Sequence, residues 1–190
     1  MKKPTRNTAF LAYSALMTAI AIVLNFFPEI PIPLPFAPWL KLDFSFVPLL
    51  LLGFTLGPVA AVMALVVTNA VHLLGTTTGG VGQLANILVG LSFLLPPSLM
   101  YRKNRTMKGA VIGTIVGIAC MVVMGVLTNR YILVPALLGD KLFDFPMTNY
   151  LIQAIVPFNL IKGTINAVLV FILYKRLSAL LKEIERKCAA

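Results

Sequence analysis

Apolar residues run along this chain in long blocks, broken by short stretches rich in glycine, proline or charge. Six blocks can be drawn, at about 8–27, 44–56, 59–74, 81–101, 109–128 and 148–174. Most approach the roughly 20 residues a helix needs to cross a bilayer's hydrocarbon core; the second is short. The breaks carry their own signals. Five prolines between Pro28 and Pro38 exclude a helix there. The apolar residues among them predict an ordered, extended loop over the bundle, with Trp39 as an interfacial anchor. Gly57-Pro58 predicts a tight turn, Gly75–Gly82 a threonine and glycine loop, and Val134–Pro146 a surface loop. Gly109, Gly113 and Gly117 recur every four residues, the spacing of a close-packing helix face. The expected fold is an all-α integral membrane protein. Six transmembrane helices form one compact bundle, with residues 1–190 as a single domain.

Composition agrees. The chain is 59% hydrophobic and 12% charged, against about a quarter charged in soluble domains. The basic start and first apolar block resemble a secretory leader. The block's length, and the proline-rich sequence after it without a clear cleavage site, favour a retained span. The net charge of +10 is not a nucleic-acid footprint, because no basic groove interleaved with aromatics accompanies it. Twelve of the sixteen Lys and Arg lie at 2–6, 102–108 and 175–187, at the ends of spans. Four of the six acids, Glu29, Asp43, Asp140 and Asp144, fall in the alternate connections. The positive-inside rule then predicts both termini in the cytoplasm. Cys120 and Cys188 form neither a disulfide framework nor a metal-ligand set, and no P-loop is present. No cofactor is expected, and energy for work must come from a partner or an ion gradient.

The polar residues inside the spans carry the chemistry. Asn159, Lys162 and Asn166 share one face of the last span at i, i+3 and i+7. A charge at mid-membrane costs at least roughly 2.5–3.5 kcal/mol, so this face is expected to line a bundle interior or wet cavity. If Pro157 opened the last helix, Lys162 would lie only about 9 Å from its end and could snorkel to water. The two amides on the same face count against that. Thr68, Asn69 and His72 gather near the end of the third span, and Gln83 and Asn86 open the fourth on one face. His72 fits a packing histidine better than a proton carrier. Gly80-x-Gly82 lacks the strand and spacing of a nucleotide loop. With the predicted topology, these polar groups converge on the external side, beneath the proline loop, as in a ligand pocket.

Four stretches carry a resemblance over about residues 10–177. They are Lys41-Leu42-Asp43-Phe44-Ser45, Phe54-Thr55-Leu56-Gly57-Pro58, Gly79-Gly80-Val81-Gly82-Gln83-Leu84-Ala85-Asn86 and Pro157-Phe158-Asn159-Leu160-Ile161-Lys162-Gly163. In them the chain resembles the riboflavin-specific S components of energy-coupling factor (ECF) vitamin transporters. The resemblance implies a six-helix subunit that binds riboflavin from outside. It also implies assembly with a transmembrane T component and two cytoplasmic ATPases, and no catalysis of its own. It carries ligand contacts to Asn129, Asn159 and Lys162, and further ones to Leu42, Asp43, Gly82 and Asn86. It assigns Ala15 and Ala19 on the first span to the T-component interface, where the residues alone fit ordinary packing. Phe46 departs from the family, which often has an acidic residue there.

Other readings follow from the residues. A stand-alone secondary transporter of a small aromatic vitamin lacks an embedded carboxylate and a visible inverted repeat in the sequence. An intramembrane enzyme lacks a linked nucleophile, acid–base pair or metal cluster. Spacing and composition do not select riboflavin over another small aromatic vitamin, so an S component for a different vitamin is a further alternative.

Overall fold

A computed structural model describes residues 6–28, 30, 31, 39–139, 141 and 146–189, without the side chains of 6, 7, 177–182 and 185–189. Its helices follow the apolar blocks: α1 (Arg6–Phe26), α2 (Phe46–Thr55), α3 (Pro58–His72), α4 (Val81–Asn104) and α5 (Met107–Thr128). They continue with α6 (Val134–Leu138), α7 (Met147–Tyr150) and α8 (Val156–Ala189). Among the described residues, five helical stretches are long and apolar enough to cross a membrane: Thr8–Phe26, Pro58–Gly75, Val81–Asn104, Met107–Leu138 and Met147–Arg176.

The short helix organises the others. α2 is apolar on every side, and a helix of that kind must be buried all round. Residues Phe46 to Phe54 are all buried. The long helices close a ring around it: α1 packs on α3, α3 on α4, α4 on α5, α5 on α8, and α8 returns to α1. α2 touches α1, α3, α4 and α8 from within. Phe46 stacks on Phe93 with centroids 5.6 Å apart, and Leu49, Leu50 and Leu52 are fully enclosed. At 1.5 Å per residue, ten residues reach about 15 Å, half of a hydrocarbon core. α2 therefore plugs one half of the ring and leaves the other half to be lined by polar side chains.

Lipid tails are as apolar as leucine, so such a bundle depends on close packing rather than on escape from water. The α4–α5 contact shows how. A Cβ on Gly113 would stand 2.6 Å from Pro97 Cα, and one on Gly117 2.5 Å from the Phe93 carbonyl oxygen. Both obstacles are backbone and cannot move aside, so the four-residue glycine spacing makes the face anticipated for it. Gly53 of α2 likewise leaves no room for a Cβ beside the Ser98 hydroxyl. Gly57 turns α2 into α3 at φ +97°, a conformation L side chains rarely adopt, and Pro58 then opens α3.

One expectation changes. Val134–Leu138 is helical, not loop: a π-helical turn at Asn129–Leu133 carries α5 on into α6. A second π turn, Leu151–Ile155, joins α7 to α8, so Pro157 lies inside a continuous helical stretch, as a last span from about 148 requires. The half-buried Trp39 indole donates to Tyr150 within the protein. The proline loop is extended at its two ends, where β1 (Ile30–Pro31) pairs antiparallel with β2 (Lys41–Leu42). Residues 29 and 32–38 lie outside the described residues, as do Asp140, Asp144, Lys2 and Lys3.

Candidate functional site

The open half of the ring holds a cavity of about 850 Å³ that merges with open space at its mouth. No residue of α2 lines it; Asp43, three residues before α2, does.

Asp43 starts α2 and anchors the cavity floor. Its Oδ1 accepts hydrogen bonds from the Ser45 amide, at 3.0 Å, and from the Ser45 hydroxyl. A carboxylate turning onto its own chain two residues on is the local signal that bends the backbone into the helix. Its Oδ2 accepts from Lys162 Nζ at 2.6 Å. Asn166 Nδ2 donates to the Asp43 carbonyl at 3.3 Å and to the Lys162 carbonyl at 2.9 Å. The polar face of α8 thus grips the lip of α2. Lys162 is 4% exposed and Asp43 5%, so Lys162 does not snorkel. Phe46 lies under its ammonium, 4.8 Å to the ring centroid, and adds a cation–π contact. This corrects the expectation that no carboxylate is embedded: Asp43 lies in the connection before α2, as expected, but is buried against Lys162.

From Lys162 a line of amides crosses to α3. Lys162 Nζ donates to Asn86 Oδ1 at 3.5 Å, Asn86 Nδ2 to Asn69 Oδ1 at 2.9 Å, and Asn69 Nδ2 to the Leu65 carbonyl at 2.9 Å. Beside it, Gln83 fixes His72. Gln83 Oε1 accepts from the Thr76 hydroxyl at 2.8 Å, which leaves its Nε2 to donate to His72 Nδ1 at 3.0 Å. His72 Nδ1 is therefore an acceptor, the arrangement of a neutral, packed ring. The Gly82 amide donates to Thr78 Oγ1 at 3.1 Å, so Gly82 contributes room and backbone shape rather than a free donor.

The third group comes from α5 and α8. Asn129 Nδ2 donates to the Gly125 carbonyl at 2.8 Å, and Asn159 Nδ2 to the Ile155 carbonyl at 2.9 Å. Gly125 makes the crossing possible, since a Cβ there would lie 2.5 Å from Asn159 Nδ2. The Tyr150 hydroxyl donates to Asn129 Oδ1 at 2.6 Å and accepts from Trp39 Nε1 at 3.0 Å.

Asp43, Gly82, Asn86, Asn129, Asn159 and Lys162 all line the one cavity. Leu42 does not: it is buried and paired with Ile30, while the preceding Leu40 and Lys41 line it instead. Ala15 and Ala19 sit apart from the cavity, exposed on the outer face of α1. Sequence reasoning missed Asn25, which reaches the cavity from the last turn of α1, and Gly125. An asparagine so near a span's end carries little signal alone. Phe158 and Trp39 also line the walls. Amides that both donate and accept, two lysines, one of them paired with Asp43, and two aromatic side chains suit a flat molecule with a polar edge.

Over residues 9–174 the chain matches the family model described as ECF transporter, substrate-specific component. It is 36% identical over 134 residues to the riboflavin transporter RibU of Staphylococcus aureus, covering 67% of this chain and 69% of that one. It is 30% identical over 185 residues to RibU of Streptococcus thermophilus, covering 92% and 85%. The riboflavin transporter FmnP of Bacillus subtilis is 28% identical over 128 residues, covering 64% and 67%. A solved structure of the S component of a bacterial ECF transporter superposes with a TM-score of 0.76 at 37% identity, covering 91% of this chain and 97% of that one.

Lys162→Met strands the Asp43 charge. Removing one partner of a buried pair costs about 3–5 kcal/mol, so the thermal midpoint in detergent should fall clearly. Adding Asp43→Asn removes the stranded charge and keeps an acceptor for Ser45, so the double variant should melt above the single one. Equal midpoints for the two would mean that the pair does not hold the lip of α2.

Proposed function

Since the chain belongs to the substrate-specific components of ECF transporters, we propose that it binds riboflavin in this cavity and delivers it to an ATP-driven uptake complex. The observation that carries the reading is the meeting of Asn129, Asn159 and Lys162 in one cavity, from helices separated in sequence. Riboflavin's ring system is flat and largely apolar, with a uracil-like edge that alternates acceptors and donors. Asparagine amides match such an edge because each supplies both functions. Lys162 keeps ammonium hydrogens beyond the one given to Asp43 and can donate to a ring carbonyl or ribityl hydroxyl. Phe158 and Trp39 can cover the ring faces. Asp43, Gly82 and Asn86 shape the rest of the wall.

The proposed arrangement is a single domain of six spans in the cell membrane, with α2 counted as the second. An even number of spans puts both termini on one side. The basic segments at 102–108 and 175–187 put that side in the cytoplasm and open the cavity outward. The exposed small face at Ala15 and Ala19 would meet a T component, which joins two cytoplasmic ATPases. The chain itself performs no catalysis. Its embedded carboxylate is held by Lys162, so ion coupling gains no support from Asp43.

Binding and uptake separate the parts of this reading. The purified protein should quench riboflavin fluorescence saturably at one ligand per chain. Ala15→Trp should keep that binding and abolish uptake by cells that express the partner subunits. Failure of the wild type to bind riboflavin would move the assignment to another vitamin; uptake by the Ala15→Trp variant would remove the α1 interface. Topology is checked in a background lacking Cys120 and Cys188. A cysteine at Leu74, which is 88% exposed at the cavity end, should react with an impermeant maleimide on intact cells. One at Lys103 should react only after permeabilisation. The opposite pattern would invert the bundle.

A further inference from the structure

Tyr150 is 1% exposed and does not line the cavity, yet its hydroxyl lies between two residues that do. Trp39 Nε1, a group that can only donate, gives its hydrogen to the Tyr150 oxygen at 3.0 Å. The Tyr150 hydroxyl hydrogen is then directed to Asn129 at 2.6 Å, and the Asn129 atom that receives it must be the oxygen. At the other end of the same amide stands the Gly125 carbonyl, which can only accept, at 2.8 Å from Nδ2. Two neighbours of opposite character therefore demand the same orientation of Asn129. What remains for a ligand is one N–H and one oxygen lone pair, in a fixed order along the cavity wall.

We infer that Tyr150 is a positioning residue for ligand recognition: it orients the Asn129 amide and links that orientation to Trp39 in the segment leading into β2. The inference rests on the reading of Asn129 as a contact of bound riboflavin. The backbone supports it independently. Asn129 opens the first π turn and Tyr150 directly precedes the second. π turns inside α-helices shift the register of side chains and occur often at functional sites. Here the two flank one hydrogen bond. Tyr150 is packed in a small apolar cluster with Leu40, Val134, Leu151 and Ile155, against which Trp39 also rests. Its ring is immobilised on all sides and Asn129 is held before any ligand arrives. A group oriented in advance loses less freedom on binding. Because the flavin edge alternates acceptor and donor, a reversed Asn129 amide would meet like with like.

The test is a double-mutant cycle read by riboflavin fluorescence quenching in detergent. Tyr150→Phe removes only the hydroxyl, leaves Asn129 Oδ1 without its donor, and should raise the Kd roughly tenfold. In an Asn129→Ala background the same change should alter the Kd less than about twofold, because its route to the ligand is gone. A purely structural role would lower affinity equally in both backgrounds, and that result, or an unchanged Kd for Tyr150→Phe alone, overturns the inference. The cycle is read well below the ligand-free melting midpoint of every variant, so that a loss of stability does not pass for a loss of affinity. Wild-type protein that binds riboflavin while Asn129→Ala binds it as tightly overturns the inference through its premise. Wild-type protein that binds none overturns the riboflavin reading itself.

Discussion

The Lys162–Asp43 ion pair is the interaction on which the rest depends. Neither charge is tolerable alone inside a membrane bundle, and each gives the other a partner across 119 residues of sequence. The pair does three things at once. It ends the loop that follows β2, since Asp43 also turns the chain into α2 through Ser45. It fixes α2 against α8, with Asn166 reinforcing the contact from one turn further along. It sets the floor of the cavity, because the same ammonium reaches Asn86 and so begins the line of amides to α3. A hydrophobic pair could hold α2 and α8 together at less desolvation cost. It could not also present a polar floor.

The cavity follows from length as much as from chemistry. Among the described residues, five helical stretches are long enough to cross a bilayer, and the helix they enclose is ten residues long. Packing in the bundle is tight enough that Gly113 and Gly117 are needed for backbone clearance and Gly53 of α2 for clearance of the Ser98 side chain. Where α2 is missing, asparagine, glutamine, threonine and lysine share the walls with Leu40, Leu133, Phe158 and Trp39, and the polar groups form a network bonded mostly to one another and to helix carbonyls. This network is rigid and largely satisfied before any ligand binds. Membership of the substrate-specific component family fits an architecture that keeps half of the ring open as a cavity.

Much of this was legible in the residues. The apolar blocks give the long helices, the glycine spacing gives the α4–α5 contact, and the cost of a buried lysine points to the face of α8 that lines the site. What was not legible has a common cause: it depends on partners far away in sequence. Asp43 looks like a loop acid until Lys162 is placed beside it. Leu42 and Lys41 are neighbours on an extended strand, where successive side chains face opposite ways, and the pattern alone did not say which faced the cavity. Trp39 donates to Tyr150 at 3.0 Å, a partner far along the chain that the local pattern does not show. Val134–Leu138 looks like loop because proline and acids surround it, while the π turn before it carries the helix through. Asn129 sits at a span's end, and only the family resemblance marked it in advance.

The most direct measurement of the central claim is an experimental structure of the protein saturated with riboflavin. The flavin ring should lie in the open half of the ring of helices, within hydrogen-bond distance of Asn129, Asn159 and Lys162, with the Lys162–Asp43 pair intact beneath it. Ligand density elsewhere, for example at the opposite end near Tyr101 and Tyr174, would contradict the claim that the half-ring above α2 is the binding site.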